Sequence, residues 1–208
     1  MVFTPFYKIP SKIRAKQWRF FYSVPHYQRI LVTPMFSKLA HWPEQRLPWL
    51  LLAGIALVLE GAALFFQYAM DLGPCVMCIY QRTAMLGLLF AGIAGAIKPQ
   101  NIFARVIGFT LWAISAIWGY LIAAEHIAMQ NNTDPFAFAG CAFEPNFPEF
   151  LPLHQWMPWF FEVTGDCGNI SWQFLGLSMP GWMQVIFAIA SAVLFVVLIT
   201  RLVFAKKI

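Results

Sequence analysis

Four stretches of this chain, near Leu47 to Met70, Cys78 to Ile97, Arg105 to Ala128 and Gly181 to Phe204, each stay apolar over about the 20 residues that cross a hydrocarbon core. Lipid offers no partner to backbone N–H and C=O groups, so each stretch is predicted to be a helix that closes its own hydrogen bonds. With 60% hydrophobic and only 11% charged residues, and a mean hydropathy of +0.65, an ordinary soluble domain of 208 residues is excluded. The expected fold is an all-α membrane protein, a bundle of four transmembrane helices. The first stretch begins too late and runs too long for the h-region of a signal peptide, and no small-residue cleavage site follows it, so it is expected to remain in the membrane. No internal repeat or low-complexity segment interrupts this pattern.

Charge sets the orientation. Residues 1–46 carry Lys8, Lys12, Arg14, Lys16, Arg19, Arg29, Lys38 and Arg46 against one acid, Glu44. The break between the second and third stretches has Lys98 and Arg105, and the C-terminal end has Arg201, Lys206 and Lys207. From Met129 to Met179 there are five acids, Asp134, Glu144, Glu149, Glu162 and Asp166, and no lysine or arginine. By the positive-inside rule both termini are expected in the cytoplasm, with two loops outside. The isoelectric point near 9.2 is thus a signal of topology, and nothing resembles a base-reading basic groove, so no nucleic-acid partner is expected.

All four cysteines fall in the two outer segments. Cys75 and Cys78 form a Cys-Val-Met-Cys pair after the first apolar run, while Cys141 and Cys167 lie in the acidic loop. Outside the cytoplasm thiols form lasting disulfides, so the pattern reads as dithiol chemistry at a membrane. Gly73-Pro74 precedes the first pair, and a proline there suits the first turn of a helix. Cys75, Cys78 and Arg82 follow spacings of three and four, which places them on one helical face. A helix N-terminus, a guanidinium and the Cys-X-X-Cys arrangement all favour a thiolate, and Cys78, one turn from Arg82, is the better placed to be it. Structural disulfides that clamp loops remain an alternative. A four-cysteine zinc site is weakened by having one Cys-X-X-Cys only, with the other two cysteines 26 residues apart, and no metal ligand is assigned. Arg82 could also snorkel to headgroups, although it is the sole basic residue on its side.

At these residues the chain resembles the disulfide bond formation protein B family, DsbB. The resemblance runs from about Trp49 to Lys207 and takes in Glu60, Gln67, the run from Pro74 to Arg82, Glu125-His126, Pro135-Phe136-Ala137, Cys141, Phe147-Pro148-Glu149, Gly165-Asp166-Cys167, Trp172 and Phe174-Leu175-Gly176-Leu177. It implies a bacterial inner-membrane enzyme whose cysteine loops are periplasmic. A reduced DsbA-like thioredoxin-fold partner would attack a Cys141–Cys167 disulfide, at Cys141, and the resulting thiols would be reoxidised by Cys75–Cys78. That pair would pass two electrons to a membrane quinone, ubiquinone or menaquinone, held beside Cys78 and Arg82. Arg82 can stabilise both a thiolate and the negative oxygen of a quinone being reduced. His126, on the same side as Arg82, is assigned to the same cofactor as hydrogen-bond partner or proton source, with a plain interfacial histidine as the competing reading.

Other residues are read as support. Glu60 and Gln67 lie seven apart on one face of the first helix, which favours a shared interior partner. The aromatic segment from Phe147 to Phe161 is broken by Pro148, Pro152 and Pro158, so a short interfacial helix on the outer leaflet is expected there, against a local loop core. Residues 1–46 are taken as a basic, aromatic cytoplasmic segment and 47–208 as the membrane domain. Residues 1–34 exceed the family's usual start, near Met35; they could lie on an anionic leaflet or reflect a start assigned too far upstream. Two rival functions remain: a vitamin K epoxide reductase-like thiol/quinone enzyme, whose Cys-X-X-Cys would sit near a late helix, and a non-catalytic scaffold with structural disulfides.

Overall fold

The computed structural model describes residues 39, 41–131 and 144–205, so the N-terminal segment 1–34 and Cys141 lie outside the described residues. A 3-10 turn at Trp42–Glu44 leads into α1 (Arg46–Ala69), followed by α2 (Val76–Ile97) and α3 (Ile102–Asn131). After residue 143 come two single helical turns, α4 (Leu153–Trp156) and α5 (Pro158–Phe161). A small hairpin of β1 (Gln173–Phe174) and β2 (Leu177–Ser178) then feeds α6 (Met179–Thr200), which continues into a π-helical turn at Arg201–Ala205. Among the described residues four helices are long and apolar enough to cross a membrane, and the all-α four-span bundle is as expected.

The second helix is the most enclosed of the four spans, packed between α1 and α3, with α6 against α3. Lipid tails are as apolar as leucine, so association rests on close packing rather than on expelling water. The contacts are built accordingly. A Cβ on Gly92 would stand 2.7 Å from both the Ala53 nitrogen and the Trp49 carbonyl oxygen, so α1 and α2 meet backbone to backbone there. Trp49 fills the space beside this crossing, its ring centroid 5.0 Å from that of Phe109, and its indole N–H donates to the Pro43 carbonyl at 2.9 Å. Ala84, Met85, Leu88, Trp112, Ala116 and Phe187 continue the core. Gly92→Ala is therefore expected to cost about 1–3 kcal/mol, because the obstacles are backbone atoms that cannot rotate away. Gly61→Ala, which meets nothing within 4 Å, serves as the control, and unfolding in detergent compares the two.

Two boundaries differ from expectation for physical reasons. The third helix starts before Arg105 because the Asn101 side chain accepts the Phe103 N–H at 2.9 Å, capping the end. Arg105 is then buried, donating to the Pro99 carbonyl at 3.3 Å and lying 3.7 Å from Glu44. The anticipated interfacial helix is split in two, because Pro158 excludes Met157 from the helical region (φ −135°, ψ 67°). Its residues divide between both expectations. Phe160 and Phe161 are buried against Ile79, while Trp156 and Trp159 face outward.

Glu44 gathers the end of the bundle opposite the cysteines. It lies 3.2 Å from His41 and 3.4 Å from Arg201, tying the entry turn to the end of α6. Burial opposes its charge, but the His41 hydrogen bond and the Arg201 cation outweigh that and hold the carboxyl below its ordinary value.

Candidate functional site

Cys75 sits at the N-cap of α2, where its sulfur accepts the backbone N–H of Cys78 at 3.2 Å. Both cysteines are free thiols, with sulfurs 2.7 Å apart. The hydrogen bond with Cys78, reinforced by burial, pushes the Cys75 thiol up from its ordinary value. Cys78 lies in the first turn of α2, where the N-terminal end of the helix favours a thiolate.

His126 joins the pair from α3. Its Nε2 lies 3.6 Å from the Cys75 sulfur, and its Nδ1 lies 3.2 Å from the Gln81 amide nitrogen. The ring is buried, and the Cys167 backbone is within hydrogen-bonding reach of it. Gln81 is the member of this group that sequence reasoning missed. Three residues after Cys78, it shares the cysteine face, and that spacing was the available signal.

Arg82 does not snorkel. It is only 7% exposed, and Nη1 donates to Gln67 Oε1 at 2.7 Å and to the Phe160 carbonyl at 3.1 Å. Nη2 donates to the Ala63 carbonyl at 3.2 Å, and the guanidinium lies 5.6 Å over the Phe160 ring. The interior partner expected of Glu60 and Gln67 is therefore Arg82, held directly by Gln67 and close enough to Glu60 for charge attraction. Glu60 itself is 4% exposed, and neither carboxyl oxygen has a hydrogen-bond partner among the described residues.

These groups surround one cavity of about 110 Å³ whose wall includes Glu60, Phe66, Cys78, Arg82, Met85 and His126. One water needs roughly 10–15 Å³, so the space holds far more than a single water.

The second cysteine segment is pinned beside the first. The backbone N–H groups of Thr164 and Gly165 both donate to the Pro74 carbonyl, at 2.9 and 3.0 Å. A Cβ on Gly165 would collide with the Gly73 carbonyl oxygen, so only glycine allows the two strands of backbone to cross here. Cys167 is disulfide-bonded, fully buried, and shares a cluster with Cys75, Val76 and Ile122. Beyond it, Leu175 (φ 51°) and Gly176 (φ 80°) form the two-residue turn of the hairpin, the left-handed pair that a type I′ turn requires. That turn follows Trp172, which packs against Phe66 on the cavity rim with ring centroids 5.2 Å apart.

Of the residues singled out from the sequence, Cys75, Cys78, Arg82 and His126 thus come together at one end of the bundle, with Cys167 beside them. Cys141 lies outside the described residues.

Comparison with known proteins gives the family. Residues 45–197 match the family described as Disulfide bond formation protein DsbB. A protein of Pseudoalteromonas translucida named Disulfide bond formation protein B is 61% identical over 164 residues, covering 79% of this chain and 95% of that relative. Proteins of the same name from Pseudoalteromonas atlantica and Psychromonas ingrahamii are 55% and 51% identical, over 77% and 79% of this chain and 92% and 88% of their own lengths. The Cys-X-X-Cys stands at the start of the second helix, whereas the vitamin K epoxide reductase-like reading places it near a late one. With its four spans, its paired cysteines and relatives matched over nearly their whole length, the chain belongs to the DsbB family.

Proposed function

We propose that this chain is an inner-membrane thiol:quinone oxidoreductase that makes disulfides, with both termini cytoplasmic and the cysteine-bearing end periplasmic. It reoxidises a DsbA-like thioredoxin-fold dithiol oxidase and delivers the electrons to ubiquinone or menaquinone. The observation that carries this reading is the free Cys75/Cys78 pair, set between a disulfide-bonded Cys167 and a cavity lined by Arg82 and Glu60. A scaffold with structural disulfides has no use for a free pair beside a buried cation. The name shared by the relatives points the same way.

The family resemblance pairs Cys141 with Cys167 in the disulfide that the partner meets first. A partner thiolate attacks this disulfide at Cys141, releasing Cys167. The partner's second thiol then closes its own disulfide, and the Cys141/Cys167 dithiol is reoxidised by exchange with Cys75–Cys78. The balance is one partner dithiol oxidised for one quinone reduced, two electrons and two protons moving together.

The cavity suits a quinone headgroup: apolar walls from Phe66 and Met85, a buried cation at Arg82, and a Glu60 carboxyl with no hydrogen-bond partner among the described residues. A bound quinone supplies the sink for two electrons and two protons. Arg82 holds an oxygen, His126 and Glu60 offer proton-exchanging groups, and Cys78 is the sulfur that presents its electron pair to the cavity.

Anaerobic mixing of the purified chain with reduced DsbA-like partner and either quinone tests this. One partner disulfide and one quinol should form per turnover, and the faster quinone names the acceptor; partner oxidation without quinol would refute the proposal. Mixed instead with the oxidised partner, Cys167→Ser should accumulate a mixed disulfide seen on non-reducing gels, because the Cys141 thiolate opens the partner's disulfide, releasing one partner thiol, and no Cys167 thiol is there to displace it. An adduct in Cys141→Ser instead would reverse the order of attack.

A further inference from the structure

The Cys75 sulfur, the Cys78 sulfur and a ring nitrogen of His126 lie within 4.8 Å of one another, a set that disulfide exchange alone does not require. The spacing fits a coordination polyhedron. With zinc–sulfur bonds of about 2.3 Å and zinc–nitrogen bonds of about 2.0 Å, a tetrahedral centre holds S and N about 3.6 Å apart. Cys75 Sγ and His126 Nε2 are 3.6 Å apart. Two sulfurs on such a centre stand about 3.8 Å apart, so the present 2.7 Å has to open by about 1 Å. Rotation of Cys78 about χ1 supplies that, because its side chain, packed on one side against the cluster around Cys75 and Cys167, borders the cavity on the other. Ligation through Nε2 needs the ring proton on Nδ1, so the Gln81 amide, whose nitrogen faces Nδ1 at 3.2 Å, turns its oxygen to that position when the metal binds and then gives the outer-sphere contact that ligating histidines commonly have. The cavity leaves the fourth position open to water or an anion.

We infer that the reduced Cys75/Cys78 pair and His126 form a binding site for one thiophilic divalent cation of the zinc class. Two sulfurs and an imidazole select zinc-like ions over magnesium or calcium, which take oxygen ligands. Binding displaces to solvent the Cys75 proton and any proton on Cys78, and moves no electrons. The site exists only while the pair is reduced, because a Cys75–Cys78 disulfide removes both thiolates. A bound cation therefore locks the dithiol and withholds its electrons, so that thiophilic metal acts as a brake keyed to the redox state. This does not depend on which electron acceptor the pair serves.

The full chain, purified in detergent, reduced with a phosphine and kept anaerobic, is titrated with Co²⁺. One equivalent should produce a sulfur-to-cobalt charge-transfer band in the near ultraviolet and tetrahedral ligand-field bands in the red, both bleached by Zn²⁺. The oxidised chain, with the same fold, should give neither. Cys78→Ser should lose the charge-transfer band of this site, and a Cys141→Ser/Cys167→Ser double variant should keep it. His126→Ala should weaken binding at least about tenfold with loss of tetrahedral intensity, and Gln81→Ala by about tenfold. No sulfur band in the reduced chain, a full band in Cys78→Ser, or unchanged affinity in His126→Ala would each overturn the inference.

Discussion

Cys78→Ser is expected to lower quinone reduction by at least about a thousandfold while leaving the fold in place, the loss usual when a reacting nucleophile is removed. Serine keeps nearly the size of cysteine, and Cys78 lies outside the Trp49–Phe109 core that joins the helices. Cys75→Ser should be equally inactive, and there the hydroxyl can still accept the Cys78 N–H and cap α2. Thermal unfolding in detergent, run beside quinol formation, separates chemistry from folding. Wild-type turnover in Cys78→Ser would remove the pair from the reaction altogether.

Arg82 is expected to give the second-largest effect, and its two replacements should differ. Lysine keeps the charge but has no planar fork to reach Gln67, the Phe160 carbonyl and the Ala63 carbonyl together. Arg82→Lys should therefore raise the apparent quinone KM about tenfold with kcat near wild type, a loss of uniform binding. Arg82→Gln removes the cation as well and should also lower kcat by about 10²-fold, the scale of one lost electrostatic contact to a developing negative oxygen. It should further slow alkylation of Cys78 at neutral pH. Steady-state kinetics over a quinone series and timed alkylation measure these effects. Unchanged KM, kcat and alkylation in Arg82→Gln would leave Arg82 a structural clamp.

The four spans were legible in the sequence because hydrocarbon thickness sets their length and lipid leaves the backbone no other solution. Their ends were less legible. Arg105 reads as a boundary residue, and only the folded chain brings Glu44, about sixty positions earlier, close enough to let it enter α3. The proline pattern announced a broken segment after Phe147, but the inward turn of Phe160 and Phe161 depends on Ile79, which no local spacing encodes. At the site, Cys75, Cys78 and Arg82 were readable as one face because they share a helix. His126 was readable only as to side of the membrane, since its 3.6 Å approach to Cys75 is a property of how α2 and α3 pack. Gln81 carried a usable spacing but no distinctive chemistry, and Glu60 and Gln67 pointed to a partner that three-dimensional packing alone identifies as Arg82.

Two of the three acceptors that hold Arg82, at Ala63 and Phe160, are main-chain carbonyls. Main-chain acceptors survive substitution of the residue that bears them, so long as the helix or turn keeps its path. Under mutational drift, position 63 can therefore exchange one small apolar side chain for another while the guanidinium stays anchored, whereas position 160 keeps its carbonyl but also supplies the ring under the guanidinium. Position 67 has no such freedom, because its contribution is an amide oxygen at the end of a side chain. Robustness and vulnerability around the same cation are thus unevenly distributed. A random library over these three positions, selected for disulfide formation, should return varied small residues at 63, aromatic residues at 160 and glutamine at 67.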